Sequence, residues 1–140
     1  MIERLSDGKQ QVDFGHSVFP QWIANQFLDS PQFDKHITKL RKQLKERRDT
    51  LVSALENLSK DKSHFFVPQG GIHLWCKINV EIDEYKLLEE SMKNGVSFVP
   101  GSIMGSKKGH VRFTYGRGEK QSIREGVSRF VRALQSFDGY

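Results

Sequence analysis

The run Gly70-Gly71-Ile72-His73-Leu74-Trp75-Cys76-Lys77-Ile78 alternates Ile72, Leu74, Cys76 and Ile78 against His73, Trp75 and Lys77. A period of two sends one set to each face of a β-strand. Two later runs, Val96-Ser97-Phe98-Val99-Pro100-Gly101-Ser102 and Val111-Arg112-Phe113-Thr114-Tyr115, are also β-branched or aromatic and are bounded by Gly, Pro or Asn. That is the punctuation of strands. A helical pattern lies between the first two runs and another follows the third. The chain is therefore expected to form a two-layer α/β (α+β) fold, a short sheet of three or four strands with helices packed on it. Arg112 is the charged residue of the third run, and the chemistry is expected there.

Upstream, Ile2 and Leu5 stand at helical spacing, as at the end of a helix belonging to something larger, while Val12, Phe14 and His16 show no clear period. Ser17 or Pro20 opens a helix with Phe19, Trp22, Ile23, Phe27 and Leu28 as its apolar residues. Ser30 is expected to cap the next helix and Pro31 to take its first position. That helix carries Phe33, Ile37, Leu40, Leu44, Leu51, Leu55 and Leu58 on one stripe and runs to about Lys60, a rod of about 40 Å. His64–Val67 reads as a short strand, and Pro68–Gly71 as a turn. Asp83 caps a helix bearing Tyr85, Leu87, Leu88 and Met92, which Asn94-Gly95 ends in a left-handed turn. A last helix carries Ile123, Val127, Phe130, Val131 and Leu134.

Composition sets bounds without choosing a function. With 140 residues, 36% apolar and 28% charged, there is enough chain for one domain with a real core, and disorder is not suggested. A net charge of +5 permits nucleic-acid contact but does not require it. The basic residues Lys35, Lys39, Arg41, Lys42, Lys45, Arg47 and Arg48 read as a solvated face, because no short second helix or base-reading pattern accompanies them. Cys76, the single cysteine, reads as a small core residue in a reducing, cytoplasmic setting. No apolar run reaches membrane-spanning length.

Several constellations fail on spacing. The loop Gly101–Gly109 has no GxxxxGK[ST] pattern and leads into a strand, so it is not a phosphate loop. The five histidines, at 16, 36, 64, 73 and 110, show no metal-ligand spacing. No serine has a nucleophile-elbow context, and Glu89-Glu90 do not converge. Arg112 differs from all of these. A guanidinium among apolar and aromatic strand residues is costly to bury bare. It must face a ligand or enter a structural ion pair, and its planar fork suits a carboxylate. Alternation places Arg112 with Thr114 on one face and Phe113 with Tyr115 on the other.

Taken in order, Phe66-Val67-Pro68-Gln69-Gly70-Gly71-Ile72-His73-Leu74-Trp75, Asn94–Ser102 and His110-Val111-Arg112-Phe113-Thr114-Tyr115-Gly116 resemble the C-terminal part of fold-type I pyridoxal-phosphate aminotransferases. Among these the wording is most similar to the aminotransferase-like domain of MocR-type regulators in the GntR family. The Gln21-Trp22 helix and the segment from Phe33 to Asp49 fit the same pattern.

The resemblance implies that Arg112 matches the arginine that binds the α-carboxylate of the amino-acid ligand. It implies that Gly70-Gly71 and Trp75 are scaffold positions. The family's Schiff-base lysine, its pyridine-pairing aspartate and most phosphate ligands lie in a large domain upstream, as does the regulators' winged helix. Lys9 lacks the surrounding motif and is not that lysine. The chain is therefore expected to be a piece of a larger, homodimeric, cytoplasmic protein. Residues 1–30 would join it to the large domain, and residues 31–140 would form the small domain. Pyridoxal phosphate is expected in the parent but not on this chain alone, which would be inert. DNA would be met only through the winged helix, with an amino acid as effector. The alternative is a piece of a genuine aminotransferase, with an amino acid as substrate. A third reading is a stand-alone binding domain without cofactor.

Overall fold

The alternation along β2 (His73–Ile78) sets the architecture, because its inward side chains, Leu74, Cys76 and Ile78, are all buried while His73, Trp75 and Lys77 are exposed. The computed structural model describes residues 2–12, 17–59, 62–79 and 82–137. The chain divides into two units, residues 1–39 and 40–140.

In the second unit, β2 sits between β1 (Ser63–Phe65) and β4 (His110–Thr114), and β4 in turn pairs with the two-residue β3 (Val99–Pro100). The order β1-β2-β4-β3 is antiparallel throughout. Three helices contribute to its core: α3 (Pro31–Leu58) with Leu51, Val52, Ala54 and Leu55, α4 (Glu84–Lys93) with Leu87, and α5 (Lys120–Gln135) with Val127, Phe130, Val131, Ala133 and Leu134. Phe98, Phe113 and Phe130 meet edge-on in this core, with centroids 4.9–6.4 Å apart. Each such pair adds about 0.5–1.5 kcal/mol to the burial of its rings. This is the expected two-layer fold with a four-stranded sheet.

Local signals act as the residue types dictate. Asp83 Oδ1 accepts the backbone N–H groups of Tyr85 (2.9 Å) and Lys86 (3.2 Å), filling two of the four orphan donors at the start of α4. Gly95 then ends α4 at φ +77°, where a side chain would be strained. Ser30 stands directly before α3 and its carbonyl accepts the Phe33 N–H at 3.1 Å, while its Oγ donates backwards to the Phe27 carbonyl at 2.7 Å. The apolar stripe of α3 needs correction. Leu58 is exposed, and Val52 and Ala54, to either side of the expected stripe, are buried. Lys60, the anticipated end of α3, lies outside the described residues.

The first unit holds α1 (Ile2–Val12), α2 (Val18–Leu28) and the first residues of α3. Helix α1 takes in Val12, which showed no period in sequence. Phe14 and His16 lie outside the described residues. Helix α2 has no buried residue. Phe19 stacks on Trp22, and Phe27 meets Phe33 and His36 edge-on.

Candidate functional site

Arg112 is the middle residue of β4, whose alternation buries Val111 and Phe113 and turns His110, Arg112 and Thr114 to the other face. Directly across from Arg112 stand Trp75 on β2 and Val99 on β3. The guanidinium stem thus rises between an aromatic and a branched wall on the face away from the core. The Arg112 side chain is half-buried, and its Nε is fully buried with no hydrogen-bond partner. Leaving a charged group's donor buried and unpaired costs a few kcal/mol, so this atom is open to a further acceptor.

The neighbours on this face are ordered among themselves. The indole of Trp75 stacks on the imidazole of His110, with centroids 6.0 Å apart. His110 Nδ1 lies 3.0 Å from the Lys107 carbonyl, and His73 Nδ1 lies 2.9 Å from Thr114 Oγ1. His64, His73, Trp75, Lys77, Val99, His110, Arg112 and Thr114 make up the described outward side chains of the four strands. None is acidic, so a carboxylate arriving here meets no repulsion from the sheet itself.

Two devices hold the surroundings of Arg112, and spacing in sequence revealed neither. The first is Glu84, at the start of α4. Its Oε2 accepts Ser102 Oγ–H at 2.7 Å and Ser102 N–H at 3.2 Å, while its Oε1 accepts His110 N–H at 3.2 Å. Burial pushes this carboxyl upward, but the bonds from Ser102, His110 and the Gly109 backbone outweigh that and hold it below its ordinary range. Gly101 belongs to the same neck: a Cβ there would lie 2.6 Å from His110 Cβ and 2.8 Å from the His110 carbonyl oxygen, so only glycine lets the two segments pass.

The second device is Tyr115, just after β4. Its buried hydroxyl donates to the carbonyls of Gly71 (3.0 Å) and Gly70 (3.3 Å), which fixes the turn before β2. Burial raises its pKa, and the Arg48 charge offsets only part of this. Arg47 and Arg48 depart from the simple reading of the basic run as solvated surface. Arg47 Nη1 donates to the Gly116 carbonyl at 2.8 Å and Arg48 Nη1 to the Pro68 carbonyl at 3.1 Å, so the segments entering β2 and leaving β4, at the His73–Thr114 end of the pair, are tied to α3.

Other candidates resolve plainly. Cys76 is fully buried, and desolvation pushes its thiol up to about 11. It is a core residue, as read from sequence. No cluster that could hold a metal ion occurs among the described residues, and none of the described helices is long and apolar enough to cross a membrane. A surface cavity of about 670 Å³ lies against α3 and α5 with Glu46, Asp49, Lys120 and Arg124 in its lining, and Arg112 is not part of it.

A helix-backed antiparallel sheet presenting one arginine after a Pro-Gly loop is a pattern that can be compared. The family model for aminotransferase class I and II matches residues 1–130. The chain belongs to the aminotransferase class I and II family. Among its curated relatives, the HTH-type transcriptional regulator NorG of Staphylococcus aureus (strain USA300) is 34% identical over 128 residues, which are 91% of this chain and 29% of the relative. The uncharacterized HTH-type transcriptional regulator YdfD of Bacillus subtilis is also 34% identical, over 91% of this chain and 27% of its own length. The chain thus spans less than a third of the curated relatives it matches. Among solved structures, a Pyrococcus horikoshii kynurenine aminotransferase, crystallised with PMP, aligns at a TM-score of 0.91 and 30% identity over 99% of this chain and 35% of that one. A multiple substrate aminotransferase from Thermococcus profundus aligns at 0.87 and 28%, over 96% and 34%. The resemblance to the aminotransferase-like part of HTH regulators and the small α/β fold are both borne out.

Proposed function

We propose that this chain is the C-terminal part of a MocR-type regulator of the GntR family, in which an aminotransferase-like domain binds pyridoxal phosphate and an amino-acid effector. Residues 31–140 form the small domain, and residues 1–30 join it to a large domain carrying the cofactor lysine. Arg112 binds the effector's α-carboxylate. The observation that carries this reading is the buried, unpaired Nε of Arg112 on an outward sheet face free of carboxylates. A guanidinium held this way is completed by a two-oxygen acid.

The residues present fit the amino-acid end of such a site, and the cofactor, when bound, supplies covalent capture of an amino group. The chain's own part is to bind and orient the carboxylate. Binding that favours one arrangement of small and large domains shifts the population of the whole protein toward it, and a DNA-binding winged helix elsewhere in a cytoplasmic homodimer would read that shift. The test uses the full-length protein with pyridoxal phosphate, screening the twenty proteinogenic L-amino acids by the change in cofactor absorbance. At least one is expected to bind, and Arg112→Lys is expected to weaken it by about 1.5–3 kcal/mol. Unchanged affinity in that variant would remove Arg112 from the site.

The 30% identity to a kynurenine aminotransferase favours a second reading, a genuine aminotransferase whose amino-acid substrate Arg112 orients. Turnover of an amino acid with a 2-oxo acid by the full-length protein would decide for the enzyme.

A further inference from the structure

Strand β3 has two residues, and one of them, Pro100, has no N–H to give to the ladder. Yet β3 supplies Val99, one of the two walls directly across from Arg112. So short a ladder offers few hydrogen bonds to keep this edge in register. The loop from Gly101 to Gly109 joins β3 to β4, and Glu84 grips both of its ends: Ser102, two residues after Pro100, and His110, two residues before Arg112. The carboxylate uses both oxygens, one for each end, and is itself buried at the start of α4. It comes from a third element, so α4, β3 and β4 are locked together through one side chain.

We infer that Glu84 is a positioning residue of the carboxylate site: by bridging Ser102 and His110 it holds Val99 against β4 and so fixes the aim of the Arg112 guanidinium. This rests on the proposed role of Arg112 and assigns to that site a residue that touches no ligand. Glutamine at this position keeps the size but replaces one accepting oxygen with a donor that would face an N–H, so it opens one end of the grip.

The experiment is a double-mutant cycle in the full-length protein with pyridoxal phosphate, using whichever of the twenty L-amino acids binds wild type most tightly. Melting curves establish that each variant is folded. Glu84→Gln is expected to weaken binding by roughly tenfold in the wild-type background, and to change it by less than about twofold when Arg112 is already lysine. An equal loss in both backgrounds would make Glu84 a general scaffold residue and overturn the inference, as would full affinity in Glu84→Gln. Should Glu84→Gln fail to fold, Ser102→Ala removes only the shortest of the three bonds. A smaller loss, again absent in the Arg112→Lys background, is expected, and an additive loss overturns the inference. If Arg112→Lys alone changes nothing, or no amino acid binds wild type, the carboxylate reading itself falls and this inference with it.

Discussion

Trp75 and Arg112 are direct partners in the antiparallel β2–β4 ladder, so an indole and a guanidinium share one patch of the outward sheet face. The indole stacks on His110 rather than lying free, and the Arg112 Nε stays buried without a partner. The pairing leaves a charged donor between Trp75 and Val99, where the proposed carboxylate would meet it.

Tyr115→Phe should destabilise the fold by about 1–2 kcal/mol, because it removes the donor serving two carbonyls of the Gly70-Gly71 turn and leaves them unpaired. Urea denaturation measures this. A change within experimental error would mean that water satisfies those carbonyls as well as the phenol does.

Much of this was legible in the sequence, and the reasons are local. Alternation along His73–Ile78 and Val111–Tyr115 set the buried and outward faces, and Asp83 and Gly95 marked the ends of α4, because each signal acts within a few residues. Arg112 stood out because a charge in an apolar strand demands a partner. Glu84 and Tyr115 were not identifiable, since Glu84 reaches across 18 and 26 residues and Tyr115 across 44 and 45. Arg47 and Arg48 were hidden for the same reason: a basic run looks the same whether its partners are water or distant backbone carbonyls.

Acid should loosen the Gly101–His110 loop. The folded pKa of Glu84 lies below its ordinary value, so its contribution is fully present above the ordinary glutamate range and is lost as pH falls through that range toward the folded pKa. Wild type is therefore expected to lose stability over that interval. Glu84→Gln, less stable at neutral pH, should lose less there, because its side chain has no proton to take up. Chemical denaturation of both at a series of pH values measures it, and parallel curves would contradict the assignment.

Cys76 should resist alkylation. With no exposed surface and a thiol pushed up to about 11, it holds almost no thiolate at neutral pH. Iodoacetamide is expected to leave the native protein unmodified and to label it fully in denaturant. Rapid labelling of the folded protein would contradict both its burial and its reading as a core residue.

The most direct test of the central claim deletes the ligand's carboxylate as well as the arginine. Calorimetry on the full-length protein with pyridoxal phosphate would compare the preferred L-amino acid with the amine that lacks only its α-carboxylate, for wild type and Arg112→Lys. The account predicts that wild type strongly prefers the amino acid and that Arg112→Lys loses about 1.5–3 kcal/mol of that preference. An unchanged preference in Arg112→Lys would contradict it, and the unpaired guanidinium would then need another partner.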